Sequence, residues 1–262
     1  LRAYIEGAYQ RNMRLAFRVV VDSRDKRTEF TPQFVKDAGA KGFMNKGKWS
    51  PYSDDSVFQK YYTKFVKALA KDFNDPSKVE FIDGFGLGKW GEYHTMIYST
   101  GDDTPKKAVF DWVTDIYSQA FDKVPVVINY HRWIGAGKDW VDDEHFAADS
   151  EEMLEEAIKK GYSLRHDAFG MTTYYGSWER RFAKKYRNIC PIIMEGGWIV
   201  KSHSYWQDPR GYRKDSHEDV RRGEFDDSKE AHVNMMDFRF GDTEFWFKDA
   251  FDLVRRFLRE GG

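Results

Sequence analysis

KVEFIDGFGLGKWGEYH, residues Lys78–His94, opens as a buried strand on Val79, Phe81 and Ile82 and then breaks into glycine at Gly84, Gly86, Gly88 and Gly91. It ends on an acid, Glu92, set between Trp90 and Tyr93 with His94 beside it. A strand that runs into glycines and then presents a carboxylate among aromatics points to a site at the carboxyl edge of a sheet. CPIIMEGGW, residues Cys190–Trp198, repeats the design with an apolar strand, Glu195, two glycines and a tryptophan. Two carboxylates at two strand ends are the minimum equipment for cleaving a glycosidic bond.

Working outward from these stretches, strand and helix patterns alternate. Residues 1–11 place Leu1, Tyr4, Ile5 and Ala8 at helical spacing, and Arg14–Asp22 is an apolar run of strand length. A long polar loop follows through Pro51. Asp54 or Asp55 caps a helix whose buried face is Val57, Phe58, Tyr61, Tyr62, Phe65, Val66 and Leu69. After the Lys78 strand, Thr104-Pro105 starts a helix with a capping hydroxyl, and Val124–Tyr130 is a strand. Asp149 with Glu152 forms a capping-box pattern, and Gly161 closes that helix. Ser163–Tyr175 is a strand broken by Gly170, Trp178–Arg187 a short basic helix, and Asp208–Glu230 a solvated loop and helix. His232–Phe240 is the last strand, and Phe247, Phe251, Val254 and Leu258 mark the last helix. Six strands alternate with helices, without repeat or linker, which is the signature of an α/β fold with a parallel sheet.

At 262 residues the chain has the length of one (β/α)8 barrel, for which about 250 residues are usual. The expectation is a single barrel domain over 1–262 that lacks the first two strand–helix units, which would lie upstream or on another chain. Lys and Arg number 42 against 43 Asp and Glu, so no basic excess exists to attract nucleic acid or an anionic membrane surface. No apolar run approaches the ~20 residues of a membrane span. Aromatics make up 17 %, which a well-filled core or sugar-stacking platforms around a cleft would each account for, and composition does not separate the two. The single cysteine, Cys190, reads as a packed thiol on a strand rather than a nucleophile.

Other constellations carry less. Gly86-Leu-Gly-Lys-Trp-Gly91 matches the dinucleotide-binding spacing, but Trp90 sits inside the turn and Pro105 starts a separate helix. The histidines show no tight metal-ligand spacing, and Asp142-Asp143-Glu144-His145 reads as a solvated acidic loop. No cofactor is expected, and no nucleophile elbow of a serine hydrolase is present.

The pieces RLAFRVVVD, TPQFVKDAG, a helix and a strand ending near a glutamate resemble the retaining (β/α)8 glycoside hydrolase superclan, in particular family 42-like β-galactosidases. GLGKWGEYH is also similar to a GEWH-type segment in glycosidase-like domains of gut and soil bacteria. The resemblance implies an acid/base glutamate after the fourth strand and a nucleophile glutamate ending the seventh. With Glu92 following strand four, the remaining strands number five to eight, Glu195 ends seven, and Arg14–Asp22 becomes three. The family's Asn directly before the acid/base is here Gly91: either Asn129 or His131 takes over its contact with the sugar 2-hydroxyl, or the catalytic acid is a different residue, or the protein is a non-catalytic relative.

The mechanism so implied is double displacement, with Glu195 forming a glycosyl-enzyme and Glu92 moving the proton. Glu92 would need a raised pKa, supplied by Trp90, Tyr93 and the second carboxylate. His94, His131 and Tyr174 are placed to orient groups or bind hydroxyls, and Trp90, Trp133, Trp178 and Trp198 to stack on sugars. Arg18 and Arg165 would hold a uronic-acid carboxylate or Glu195 itself. The expected partner is an oligo- or polysaccharide, and the expected location of such a bacterial enzyme is secreted or periplasmic, with the cytoplasm left open. The competing class is a non-catalytic carbohydrate-binding or scaffold protein on a degenerate barrel.

Overall fold

The computed structural model describes residues 2–24, 27–137, 148–170, 174–196, 217–237, 255 and 258–259. Backbone contacts divide the chain into two compact units. The first takes Leu1–Ile128, Trp133–Asp139 and His145–Tyr162; the second takes Asn129–Arg132, Trp140–Glu144 and Ser163–Gly262.

The first unit begins with α1 (Arg2–Tyr9) and β1 (Leu15–Arg18), which pairs in parallel with β4 (Val79–Asp83). β4 pairs in parallel with β5 (Val126–Asn129). The segment read as one long loop contains a short helix, α2 (Gln33–Asp37), and a hairpin of β2 (Gly42–Asn45) and β3 (Lys48–Pro51). The hairpin turns on Lys46 and Gly47, both with positive φ (48° and 77°), the geometry whose twist matches paired strands. α3 (Ser56–Phe73) starts where expected, because the Asp55 carboxylate accepts the Phe58 N–H at 2.9 Å. It buries Phe58, Tyr62 and Val66.

Two expected caps are absent. α4 (Lys106–Ala120) takes Pro105 at its N-cap without a side-chain bond, so Thr104 supplies no capping hydroxyl. α5 (Ser150–Lys159) has Asp149 at its N-cap, but no capping box forms. Lys106 Nζ lies 2.6 Å from Asp149 Oδ1 and Lys107 Nζ 2.8 Å from Glu152 Oε1, so two α4 lysines take the carboxylates that would have capped α5.

In the second unit β6 (Ser163–Phe169), β7 (Ile192–Gly196) and β8 (Met235–Asp237) are parallel neighbours in turn. The Tyr130 N–H, just past β5, donates to the Arg165 carbonyl at 2.9 Å. The parallel sheet order is β1-β4-β5-β6-β7-β8, the sequential order expected for barrel strands three to eight. α6 (Ser177–Tyr186) precedes β7, and α7 (His217–Glu230) precedes β8. α7 is less solvated than its mixed charge suggests, since Glu224, Phe225, Asp227 and Ser228 are buried. Asp227 accepts the Gly170 N–H at 2.9 Å and the Arg180 guanidinium at 2.7 Å, and these bonds satisfy its buried charge. Cys190 lies before β7 rather than on it, half-buried, with burial pushing its thiol up to about 11; it is no thiolate nucleophile. The expected last-helix residues Phe247, Phe251 and Val254 and the Asp142–His145 cluster lie outside the described residues.

Candidate active site

In the first unit the site grows from the end of β4. Two buried phenols clamp the backbone that leaves the strand: Tyr162 donates to the Gly84 carbonyl at 2.9 Å and Tyr62 to that of Phe85 at 2.8 Å. Tyr117 lies 2.9 Å from the Tyr62 hydroxyl. Burial raises the pKa of all three phenols, so they stay neutral donors. Beyond the clamp, segment 84–91 carries the chain to Glu92. Glu92 is thus on a loop, and the carboxylate ending β4 is Asp83, a residue that sequence reasoning treated only as part of the strand.

Arg18, at the end of β1, joins these two acids. It is the in-register neighbour of Asp83; its Nε donates to Asp83 Oδ2 at 2.9 Å and its Nη1 to Glu92 Oε1 at 2.6 Å. His94 Nε2 lies 3.4 Å from Glu92 Oε2, and His94 Nδ1 is 2.8 Å from Thr95 Oγ1. Arg24, held by Asp22 through a 2.7 Å bond, donates to the Thr95 carbonyl at 2.6 Å and tethers the far side of the loop. Glu92 and His94 are 3 % and 2 % exposed, so both sit inside the fold and not at its rim.

The loop is conformationally costly. Trp90, Tyr93 and Thr95 all hold positive φ (58°, 59° and 51°). Backbone of this kind persists only where its surroundings over-determine it, and such places cluster at functional sites. Tyr93 provides much of that determination: fully buried, it packs on Phe85 at 4.3 Å and donates to the Lys106 carbonyl at 3.1 Å. Trp90 is half-buried with Lys89 Nζ 4.4 Å over its ring and the His94 ring at 5.7 Å. Gly91 explains the missing Asn. At φ +77° a Cβ would stand 2.8 Å from the Val19 carbonyl oxygen and 3.3 Å from Arg18 Cδ, so the space an Asn would fill is occupied. No α-helix follows the glycines until Lys106, so the dinucleotide-like spacing lacks the helix N-terminus that would receive a phosphate. Trp133 also belongs to this unit and is wholly buried, with no ring face turned to solvent.

In the second unit Glu195 sits on β7, ion-paired with Arg165 of β6. In-register pairing places Asp237 of β8 beside Glu195 on one face of the sheet, at the ~4.8 Å spacing of neighbouring strands. Asp237 is exposed and was missed because its strand is short and weakly apolar. Asn129 is buried at the end of β5, and its Oδ1 has no hydrogen-bond partner among the described residues. His131 is buried. Arg132, the next residue, donates from Nη1 to Glu179 Oε2 at 2.7 Å, while the Gly176 N–H donates to the same oxygen at 2.9 Å. Burial pushes the Glu179 carboxyl up, and Arg132 works against that shift. Tyr174 is buried, and Trp178 lies on α6 stacked on Phe182 with ring centroids 5.2 Å apart. Trp198 lies outside the described residues.

A further titratable group, weighed in the sequence only for metal-ligand spacing, is buried in this unit. His166 of β6 is caged by Tyr130, Tyr175 and Phe169 at 5.1, 5.0 and 6.3 Å, and burial drives its pKa down to about 3. Its Nδ1 accepts the Ala168 N–H at 3.1 Å, which places the proton of the neutral ring on Nε2.

No protein-family model matches the chain, and no curated protein matches it. Among solved structures it is similar to a GH10 structure from Paenibacillus barcinonensis, at 12 % identity and TM-score 0.51, over 91 % of this chain and 68 % of that one. It also resembles endo-glycoceramidase II from Rhodococcus sp., at 12 % identity and TM-score 0.47, over 92 % of this chain and 59 % of that one. A GH5-4 broad specificity endoglucanase from an uncultured bacterium matches at 10 % identity and TM-score 0.48, over 91 % and 66 %. The chain therefore spans about 59 to 68 % of the length of these glycoside hydrolases. At such identities the likeness shows the fold alone: α/β, with the strands of part of a (β/α)8 barrel.

Proposed function

We propose that the chain is a retaining glycoside hydrolase of the (β/α)8 superclan acting on a β-linked oligo- or polysaccharide. One observation carries the reading. In the six-strand order Glu92 follows the second strand, β4, and Glu195 lies on the fifth, β7, which are the fourth and seventh when the six are counted as barrel strands three to eight; each glutamate is held, within its own unit, by an arginine from the preceding parallel strand. Catalytic residues of this fold gather where the strands end in their carboxyl-side loops. Glu195 attacks the anomeric carbon, and a glycosyl–carboxylate ester forms as the leaving oxygen takes a proton from Glu92. Water, deprotonated by Glu92, then releases the sugar with retained configuration. Asn129, with an unsatisfied buried oxygen at a strand end, stands ready for a sugar hydroxyl in place of the Asn that Gly91 excludes. A family 42-like β-galactosidase is the finer assignment.

A second reading has its own observation. The charge set against Glu92 is a cation, Arg18 at 2.6 Å, whereas a proton donor is served by an apolar or anionic neighbourhood. On that ground the chain is a carbohydrate-binding protein whose glutamates hydrogen-bond sugar hydroxyls. Azide separates the two. A retaining enzyme lacking its nucleophile, E195A, yields the α-glycosyl azide, and one lacking its acid/base, E92A, yields the β-glycosyl azide. A binding protein gives neither product from an activated aryl β-glycoside.

A further inference from the structure

We infer that Asp83 is a positioning residue: it fixes the Arg18 guanidinium and, through it, the carboxylate of Glu92. Where catalysis is concerned, this rests on the glycosidase reading above. Asp83 and Glu92 differ in how firmly each is held. Asp83 ends a strand in register with Arg18, is 2 % exposed, and is followed by two carbonyls clamped by Tyr162 and Tyr62. Glu92 lies outside the sheet, past a run of glycines, where no strand register fixes it. The rigid acid therefore orients the arginine, and the loop acid receives it.

Geometry makes the transmission specific. A guanidinium is planar, so the Nε bond to Asp83 at 2.9 Å sets the plane in which Nη1 meets Glu92 at 2.6 Å. The Arg18 Cδ passes over Gly91, where a Cβ would stand 3.3 Å from it. The glycine at position 91 thus makes room for this arginine, and a strand-borne Asp–Arg pair holds Glu92.

The test uses the full chain. Nitrogen-15 resonance follows Arg18 Nε–H exchange with solvent and guanidinium rotation about Cζ–Nε, assigned by R18K, together with kcat and KM on an aryl β-glycoside. E92A is expected to speed rotation while leaving Nε–H exchange within about twofold of wild type. D83A is expected to speed both by about tenfold or more, and to lower kcat by about tenfold or more with KM within about threefold. Should D83A not fold, D83N, which keeps a neutral acceptor, is expected to move the same quantities by about threefold. Rotation in D83A or D83N as slow as in wild type overturns the inference, whether or not the chain hydrolyses glycosides. So does an E92A whose Nε–H exchanges as fast as that of D83A, or faster guanidinium motion with kcat unchanged. A wild type that shows the expected motions but turns over no glycoside refutes the glycosidase reading and leaves Asp83 as the anchor of Arg18.

Discussion

Replacing Gly91 by Asn introduces the residue that the superclan this chain resembles carries before the acid/base, and the structure predicts that the change harms the protein. The backbone there holds φ +77°, which an Asn tolerates at a cost of about 1 kcal/mol. The new Cβ would stand 2.8 Å from the Val19 carbonyl oxygen and 3.3 Å from both Arg18 Cδ and Gly86 Cα. Two of those three neighbours are backbone and cannot swing aside, so overpacking adds about 1–3 kcal/mol. The sum, about 2–4 kcal/mol, corresponds to roughly 5–15 °C in melting temperature for a chain of this size. Calorimetry of G91N against wild type measures it. The Arg18–Glu92 contact should loosen as Arg18 is pushed, so any glycosidase activity should fall as well. A G91N protein that melts within about 1 °C of wild type, or that gains activity, would refute the steric argument for glycine at this position.

Further outcomes follow from the buried charges. R132M strips the cation from Glu179, which is 0 % exposed, and is expected to destabilise the fold by about 3–5 kcal/mol in chemical denaturation. The loss has a sign in pH. Burial raises the folded-state pKa of Glu179, so the folded state binds the extra proton, and stability falls as pH rises from the unfolded value near ~4.3 through the folded one. R132M should therefore cost less at pH 4.5 than at pH 8, and an equal cost at both would contradict the assignment. His166 works in the opposite direction: with its folded pKa pushed down to about 3 from 6.5, stability is fully present above pH 6.5 and declines as pH falls toward 3. H166Q, which keeps an acceptor for the Ala168 N–H, should flatten that acid-side decline, by an amount on the order of 4 kcal/mol over the whole range. An unchanged slope in acid titration of H166Q would show that other groups carry it.

What could be read from the sequence was what is encoded locally. α3 was legible because Asp55 stands at the right offset from an i, i+4 apolar row, and both act within a few residues. The alternation of strands and helices, and hence the α/β class, came from the same short-range periodicity. The β2–β3 hairpin was lost in a polar stretch although Asn45-Lys46-Gly47 is a turn signal, because its strands are four residues each and too short for periodicity to register. The α5 capping box failed for a non-local reason: lysines on α4, 43 and 45 positions away, bind both carboxylates. Of the candidate site, Glu92, His94 and Arg18 were legible as residues but not as a contact set, since what joins them is the in-register placement of β1 against β4. The same placement brings in Asp83, hidden in plain view at the end of VEFID, and strand register likewise sets Asp237 beside Glu195. The buried polar side of α7 was invisible because its mixed charge looks solvated until Arg180 and Gly170 are seen to meet Asp227.

The most direct measurement is mass spectrometry of the intact and peptide-digested chain after incubation with 2-deoxy-2-fluoro-β-glycosides bearing activated leaving groups. The account predicts a mass increase of one fluoroglycosyl unit, carried by the peptide that contains Glu195 and absent from E195Q. An adduct on Asp83, Glu92 or Asp237 instead, or none from any sugar that the chain demonstrably binds, would contradict it.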